Sequence, residues 1–588
     1  MSGSQIIVLV TPAFLALMVL EWAVGRARGR AAFRLADAVS SISLGMLSQT
    51  SAVFTVLLRV GLYTLVWQQL ALWRNDAFWL SAPGWLLALL LYDFCYYWLH
   101  RMGHEVAVLW AAHAVHHQSQ DYNLSTALRQ TSSGALLGWM FYLPMALAGV
   151  PPLVFVVVGL IDLLYQFWVH TEQVGRLGWF DRWFCSPSNH RAHHAVNDRY
   201  LDKNYGGILI VWDRLFGTFV EEDDREPCVY GTRGLLASWD PLWANVQVYA
   251  ALACDSWHAR RWRDKLLVWL KPPGWRPADV AARFPKPAFE LAQMTLFNPA
   301  MTRAQRWFAG VQFVLLLAGV SVFLWHADSA PLADNLLWFA VLLACQWALG
   351  AVMQGRLTLL EALMIEAGAL ATASAALDLA EWHHTAKPAA MVFAMAAVAV
   401  RACSSRAEGN FRSYSSGWLL LALLGSLAGD VFLMAAGFFI PGLVSFLLAH
   451  LCYIALFRRD APWFAHRGAL LATLTLAGGM YAFLWQGGLP PALRAPVAAY
   501  VLVIALMAAQ AWARWQVLRN RPALWVALGA CCFMLSDSLL AINRFVQPLP
   551  WSQVWVLSSY YAAQVLIVVG ALRAMPVSGP AAAPAAAT

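Results

Sequence analysis

The 588-residue chain is 60% hydrophobic and only 12% charged, with a mean hydropathy of +0.56. That balance excludes a soluble globular domain, and apolar stretches able to cross about 30 Å of hydrocarbon recur along it. The net charge of +8 comes from basic residues in short loops between those stretches, which fits orientation of membrane spans and not nucleic-acid binding.

The first predicted span, at about 5–24, lacks a basic leader and a small-residue cleavage site, so it reads as a retained anchor. Spans follow at about 39–58 and 78–99, then a hairpin within 135–169 broken at Pro151-Pro152. Residues 171–305 are polar and aromatic and hold no convincing span. From Trp307 spans come in quick succession: 307–326, 331–353, 357–382, 388–402, 416–435, 438–457, 468–486, 495–513, 523–543 and 554–573. The Ala/Pro-rich residues 576–588 are predicted to be disordered. Nine cysteines without a CxxC pair, several inside spans, read as small buried hydrophobes. The fold class is all-α and polytopic.

Charge orients these spans. Arg26, Arg28, Arg30 and Arg34 place the loop after the first span in the cytoplasm. Counting onward puts Arg401, Arg406, Arg412, Arg458, Arg459, Arg467, Arg514, Arg519 and Arg521 inside as well. Lys387, Arg494 and Arg544 fall outside.

Nine of the fifteen histidines fall in one short region. They are His100 and His104, then His113, His116 and His117, then His170, then His190, His193 and His194. Residues three or four apart share a helix face, so each cluster can aim its imidazoles at one point. The span count puts them all on the cytoplasmic side. Nine imidazoles exceed one tetrahedral zinc and suffice for two metals with positions left open. A hydrolytic zinc site would usually show HExxH or a His/Asp mixture. A redox pair, most simply iron acting on dioxygen, suits an apolar substrate at the bilayer surface. Asp93 and Tyr97 share the helix face of His100 and His104, and Asp93 is expected to orient a liganding imidazole. Asn204, Tyr205, Gly206 and Gly207 read as structural. Trp212, Phe216 and Phe219 read as an amphipathic face at the lipid surface.

The segments HRMGHE, AAHAVHHQSQDYNLSTALRQ, FWVHTE and NHRAHHAVNDRYLDKNYGGILIVWDRLFGTF closely resemble the fatty acid hydroxylase/sterol desaturase superfamily, and within it the alkylglycerol monooxygenase branch. The likeness runs from about residue 20 to 300 and more loosely to 382. It implies that all nine histidines bind a di-iron centre, and that an ether-linked carbon is hydroxylated to a hemiacetal that releases a fatty aldehyde. Glu105 matches the glutamate after the first histidine box and is expected to be catalytic. Glu172 and Asn189 occupy family-typical neighbouring positions. Animal members of the branch take electrons from tetrahydrobiopterin; here the resemblance implies an external reductant, that one or another, with an electron-donor partner.

Ionisable residues inside spans are costly and default to function. Asp430 lies five residues from the outer end of its span and Asp537 six, a shared depth of roughly 8–9 Å at about 1.5 Å per residue. A protonated acid beside an ionised one is what general acid–base catalysis needs. A structural pair or a proton relay in a transporter reads the spacing equally well. Lys387-Pro388, LLGSLAGDVFLM, FFIPGLVSFLLAHLCYIALF, ALGACCFMLSDSLLAINRF and Tyr560-Tyr561 with Gln564 resemble the lysoplasmalogenase-like membrane family over about 384–575. The resemblance implies vinyl ether hydrolysis carried by Asp430 and Asp537, with His450 and Asn543 orienting the substrate.

The expectation is therefore a di-iron hydroxylase domain over 1–382, a lysoplasmalogenase-like transmembrane domain over 383–575, and a tail over 576–588. Its lipid substrates would be an alkylglycerol and a lysoplasmalogen. Three alternatives stay open: a sterol or fatty-acyl hydroxylase or desaturase, a non-catalytic or transport-like second half, and a zinc hydrolase in the first.

Overall fold

The computed structural model describes residues 2–30, 33–407 and 413–574. Arg412 and the predicted tail fall outside them. The described residues are helical, apart from loops and two isolated β-bridges, Phe184 with Leu209 and Ala195 with Tyr230.

Among the described residues, twelve helices are long and apolar enough to cross a membrane. All ten spans predicted after Trp307 are among them, from Arg303–His326 to Ser552–Ala574. Large apolar side chains point outward from such helices, Leu471 at 69% exposure and Leu57 at 78%, as lipid rather than water requires. The integral, multi-pass reading holds.

Three features earlier in the chain differ from expectation. The second span is longer than predicted, one run over Leu35–Leu70 with a π-helical turn at Leu57–Gly61. The segment predicted to span at 78–99 forms the helix Ala82–Glu105 but is not one of the twelve, because it carries buried Asp93 and ends in a polar, histidine-bearing turn. The predicted hairpin becomes two shorter helices, Gly134–Ala148 and Pro152–Trp168. The second, at 17 residues, reaches only about 26 Å at about 1.5 Å per residue. Proline at its start and the left-handed Gly149 (φ +95°) make the break.

The chain forms two compact units, Met1–Asn335 with Leu349–Gly355, and Leu336–Ala348 with Arg356–Thr588. The first has a core around Tyr63, Trp79, Cys95, Met145 and Val154. The second is a helical bundle cored by Met391, Leu423, Tyr453, Met507, Phe533 and Ile567. It includes Leu359–Ala376, ahead of the expected 382/383 boundary.

Candidate metal centre and a second buried site

Four segments of the first unit bring the histidines together. Ala82–Glu105 is capped by Ser81, whose hydroxyl accepts the Gly84 N–H, and presents His100 and His104 one turn apart. Ala107–His117 carries His113, His116 and His117. Pro187–His194 opens on Ser186 as cap with proline in its first turn and carries His190, His193 and His194. His170 follows the end of Pro152–Trp168.

The nine rings form two sets. His100, His104, His113, His117 and His193 are one; His116, His170, His190 and His194 are the other, the ligand atoms within each lying inside 4.8 Å of one another. Consecutive residues on a helix point about 100° apart, so His116 and His117 serve different sets, as do His193 and His194. The adjacent pairs are what put two sets side by side.

Backbone carbonyls fix the tautomers. His100 Nδ1 donates to Tyr205 O (2.8 Å), His116 Nδ1 to Arg129 O (3.0 Å), His170 Nδ1 to Gln166 O (2.8 Å) and His193 Nδ1 to Lys203 O (2.8 Å). Burial, reinforced by neighbouring imidazoles, holds His113, His117, His170, His190, His193 and His194 well below the usual histidine pKa. Burial takes His116 down to about 4. These seven rings are neutral at pH 7, and each whose Nδ1–H is used keeps only a lone pair on Nε2.

The Nε2 atoms crowd together, and those of His116 and His170 meet lone pair to lone pair. His116 Nε2 and His170 Nε2 are 3.1 Å apart, and His190 Nε2 is 3.1 Å from His170 Nε2. His113 Nε2 stands 3.0 Å from both His100 Nε2 and His117 Nε2, and one proton cannot serve both. His104 Nε2, His193 Nε2 and His194 Nε2 are buried without a partner. Inward lone pairs this close need a cation between them, and nitrogens about 2.0–2.1 Å from a shared ion at right angles sit about 3 Å apart. The residues fit two metal ions, each held wholly by imidazole.

Asp93 does not orient an imidazole. Its carboxylate accepts Ile208 N (2.7 Å), Leu209 N (3.2 Å) and Trp212 Nε1 (2.8 Å), pinning the loop whose Tyr205 carbonyl holds His100. Gly207 is required there: a Cβ would lie 2.8 Å from Asp162 Oδ1 and 3.0 Å from Asp93 Oδ1. Trp212 thus spends its N–H on Asp93, while Phe216 stays 40% exposed. Glu105 turns to Arg101 (2.9 Å) at the helix end and joins neither imidazole set. Glu172 accepts the Tyr230 hydroxyl (3.0 Å). Asn189 donates to Asp181 O (3.1 Å) and Phe184 O (3.2 Å), tying down the start of the third-box helix.

Sequence reasoning passed over Glu21, Arg129 and Arg191. Buried Glu21 accepts Leu124 N at 2.8 Å and the Thr171 hydroxyl at 2.5 Å, joining the first span to the residue after His170. An acid inside an apolar span was the available signal. Glu21→Ala leaves both donors buried and unmatched, so it is expected to cost about 1–3 kcal/mol, read as a lower Tm of the purified chain. Arg129 donates to Val115 O (2.8 Å) while its own carbonyl holds His116. Arg191 forms a two-pronged pair with Glu222 (2.8 Å each) and donates to Thr171 O (3.0 Å).

In the second unit Asp430 and Asp537 each take their own partners. The Tyr560 hydroxyl donates to Asp430 Oδ2 (2.5 Å), and Lys387 Nζ lies 3.3 Å from Oδ1. The Tyr500 hydroxyl donates to Asp537 Oδ2 (2.5 Å) and stands 3.0 Å from His450 Nε2. Phe446 and Phe533 pack against Tyr560, and Phe533 against His450, so the acids share an aromatic-lined interior. Asn543 accepts Leu549 N (2.8 Å) at the end of its helix.

A helical membrane protein with paired all-imidazole sites is of the histidine-box hydroxylase class, and residues 85–218 match the fatty acid hydroxylase family. Residues 382–571 match the YhhN family. The human alkylglycerol monooxygenase is 38% identical over 310 residues, 52% of this chain and 68% of the relative; the one from Xenopus tropicalis is 37% identical over 309, with the same shares. The chain belongs to the alkylglycerol monooxygenase family. Its second half is similar to a lysoplasmalogenase of Mycobacterium bovis, 35% identical over 174 residues, 28% of this chain and 65% of the relative. No solved structure matches the chain.

Proposed function

We propose that the chain is a bifunctional ether-lipid cleaving membrane enzyme, with an oxygen-dependent di-iron hydroxylase in residues 1–382 and a vinyl ether hydrolase in 383–575. The observation that carries it is the pair of buried imidazole sets whose ring nitrogens converge. His100, His104, His113, His117 and His193 would hold one iron, and His116, His170, His190 and His194 the other. Bound iron supplies the activation of dioxygen that attack on an unactivated C–H bond requires. The carbonyls of Tyr205, Arg129, Gln166 and Lys203 hold four of the imidazoles in their liganding tautomer, and burial keeps water from the site. An alkylglycerol hydroxylated at its ether-linked carbon collapses through a hemiacetal to a fatty aldehyde and glycerol. The electron donor is external, tetrahydrobiopterin being the first to test.

In the second unit Asp430 and Asp537 supply acid and base. Protonation of the vinyl carbon and addition of water give a hemiacetal again, and again an aldehyde. The similarity to lysoplasmalogenases and the paired acids in an aromatic interior support this reading.

The test is product analysis on the purified full chain. Alkylglycerol is expected to give aldehyde only with oxygen and reductant, and lysoplasmalogen to give it without either. Oxidised sterol or fatty acid in place of the first product, or intact lysoplasmalogen, contradicts the corresponding half.

The histidine boxes are proposed to face the cytoplasm. Exposed Cys254, on the helix Pro241–His258, reports the side of the 171–305 stretch. A membrane-impermeant maleimide is expected to label Cys254 only after cells are opened, with a Cys254→Ser chain as control. Labelling of intact cells reverses the orientation.

A further inference from the structure

The two buried aspartates of the second unit have unequal surroundings. Asp430 is 2% exposed and sits 3.3 Å from the Lys387 ammonium, itself 9% exposed. Asp537 is 19% exposed, with His450 Nε2 at 3.6 Å from the carboxyl oxygen that takes the Tyr500 hydroxyl. Because Tyr500 gives its proton to Asp537, its oxygen can only accept, so His450 Nε2–H is the donor in that 3.0 Å contact. His450 Nδ1 is buried without a partner, free to receive a proton. Around Asp430 stand Lys387, Tyr560, Tyr561 and, at longer range, Asp537; around Asp537 stand Tyr500, His450 and Asp430. One fixed cation supports one buried anion, and that cation, Lys387, stands at Asp430, while Asp537 takes a tyrosine hydroxyl and faces an imidazole.

We propose that Asp430 is the standing carboxylate of this site and Asp537 its proton donor, with Lys387 the positioning residue that makes them unequal and Tyr500–His450 the path that recharges Asp537. This rests on the vinyl ether reading above. The Asp537 O–H bond breaks and its proton goes to the vinyl carbon remote from the ether oxygen, whose lone pair forms the oxocarbenium C=O bond. Asp430 takes a proton from water as the water oxygen bonds to the oxocarbenium carbon. The hemiacetal hydroxyl loses its proton as the C–O bond to glycerol breaks and the glycerol oxygen gains one. One water is consumed, and no electrons are exchanged. The proton Asp430 gained leaves to solvent, and an equal one returns to Asp537 through His450 and Tyr500.

Infrared difference spectra of the full chain in lipid nanodiscs test it. A deuterium-sensitive carboxylic-acid C=O band is expected to vanish in Asp537→Asn and persist in Asp430→Asn. Lys387→Met is expected to add a second such band as Asp430 takes up a proton, and Lys387→Arg to add none. A band that vanishes in Asp430→Asn instead, or no second band in Lys387→Met, overturns the assignment. Tyr500→Phe is expected to lower kcat at least about tenfold at unchanged KM; an unchanged kcat overturns the proton path. Wild-type chain that leaves lysoplasmalogen intact overturns the hydrolytic reading itself, whereas turnover with the wrong bands overturns only the asymmetry.

Discussion

His193→Ala is expected to remove one metal ion per chain, and His194→Ala the other, although the two residues are neighbours in sequence. His193 belongs to the five-imidazole set and His194 to the four-imidazole set, because a 100° step on the helix turns consecutive side chains to different centres. The same holds for His117 and His116. Metal analysis of each variant is expected to fall from two ions per chain to one. Each is expected to lose oxygen-dependent aldehyde release by more than the 10–100-fold typical of an outer-shell change, because a pair of ions acts as a unit. Variants of one adjacent pair that both retain two ions would break the division into sets.

Asp430→Asn and Asp537→Asn are each expected to cut vinyl ether hydrolysis by about 10²–10⁴-fold, the range for loss of a general acid or base. Oxygen-dependent cleavage of alkylglycerol is expected to stay at the wild-type rate, since the imidazoles and the carbonyls that orient them lie in the first compact unit and both aspartates in the second. The histidine variants are expected to show the reverse pattern. Parallel assays of both substrates on one preparation read this out, and each variant's intact second activity certifies that the chain is folded.

How far the sequence foretold this depends on the distance over which each feature is built. The histidine boxes are local, spaced by three and four on short helices, and so were visible. The partition into five and four was not, because it needs four segments to converge, with acceptors at Lys203, Tyr205, Gln166 and Arg129 that no periodicity marks. Asp93 shows the limit of face arguments. It shares a helix face with His100, yet that face also meets Ile208, Leu209 and Trp212, whose N–H groups donate to both carboxylate oxygens. Asp430 and Asp537 were visible because an acid within a span is expensive; Lys387, Tyr500 and Tyr560 come from other helices, and their pairing required the bundle. Hydropathy located the spans after Trp307, which are apolar through their length. Its signal is weaker between 78 and 169, where Ala82–Glu105 and Pro152–Trp168 bury the polar residues Asp93 and Asp162.

The central claim is that nine imidazoles grip two redox-active ions. X-ray absorption and metal analysis on chain purified without chelators test it most directly. The account predicts two irons per chain with a nitrogen-rich inner shell, bleached by reductant and restored by oxygen. A single ion, or zinc in both positions with no oxygen uptake, would contradict it.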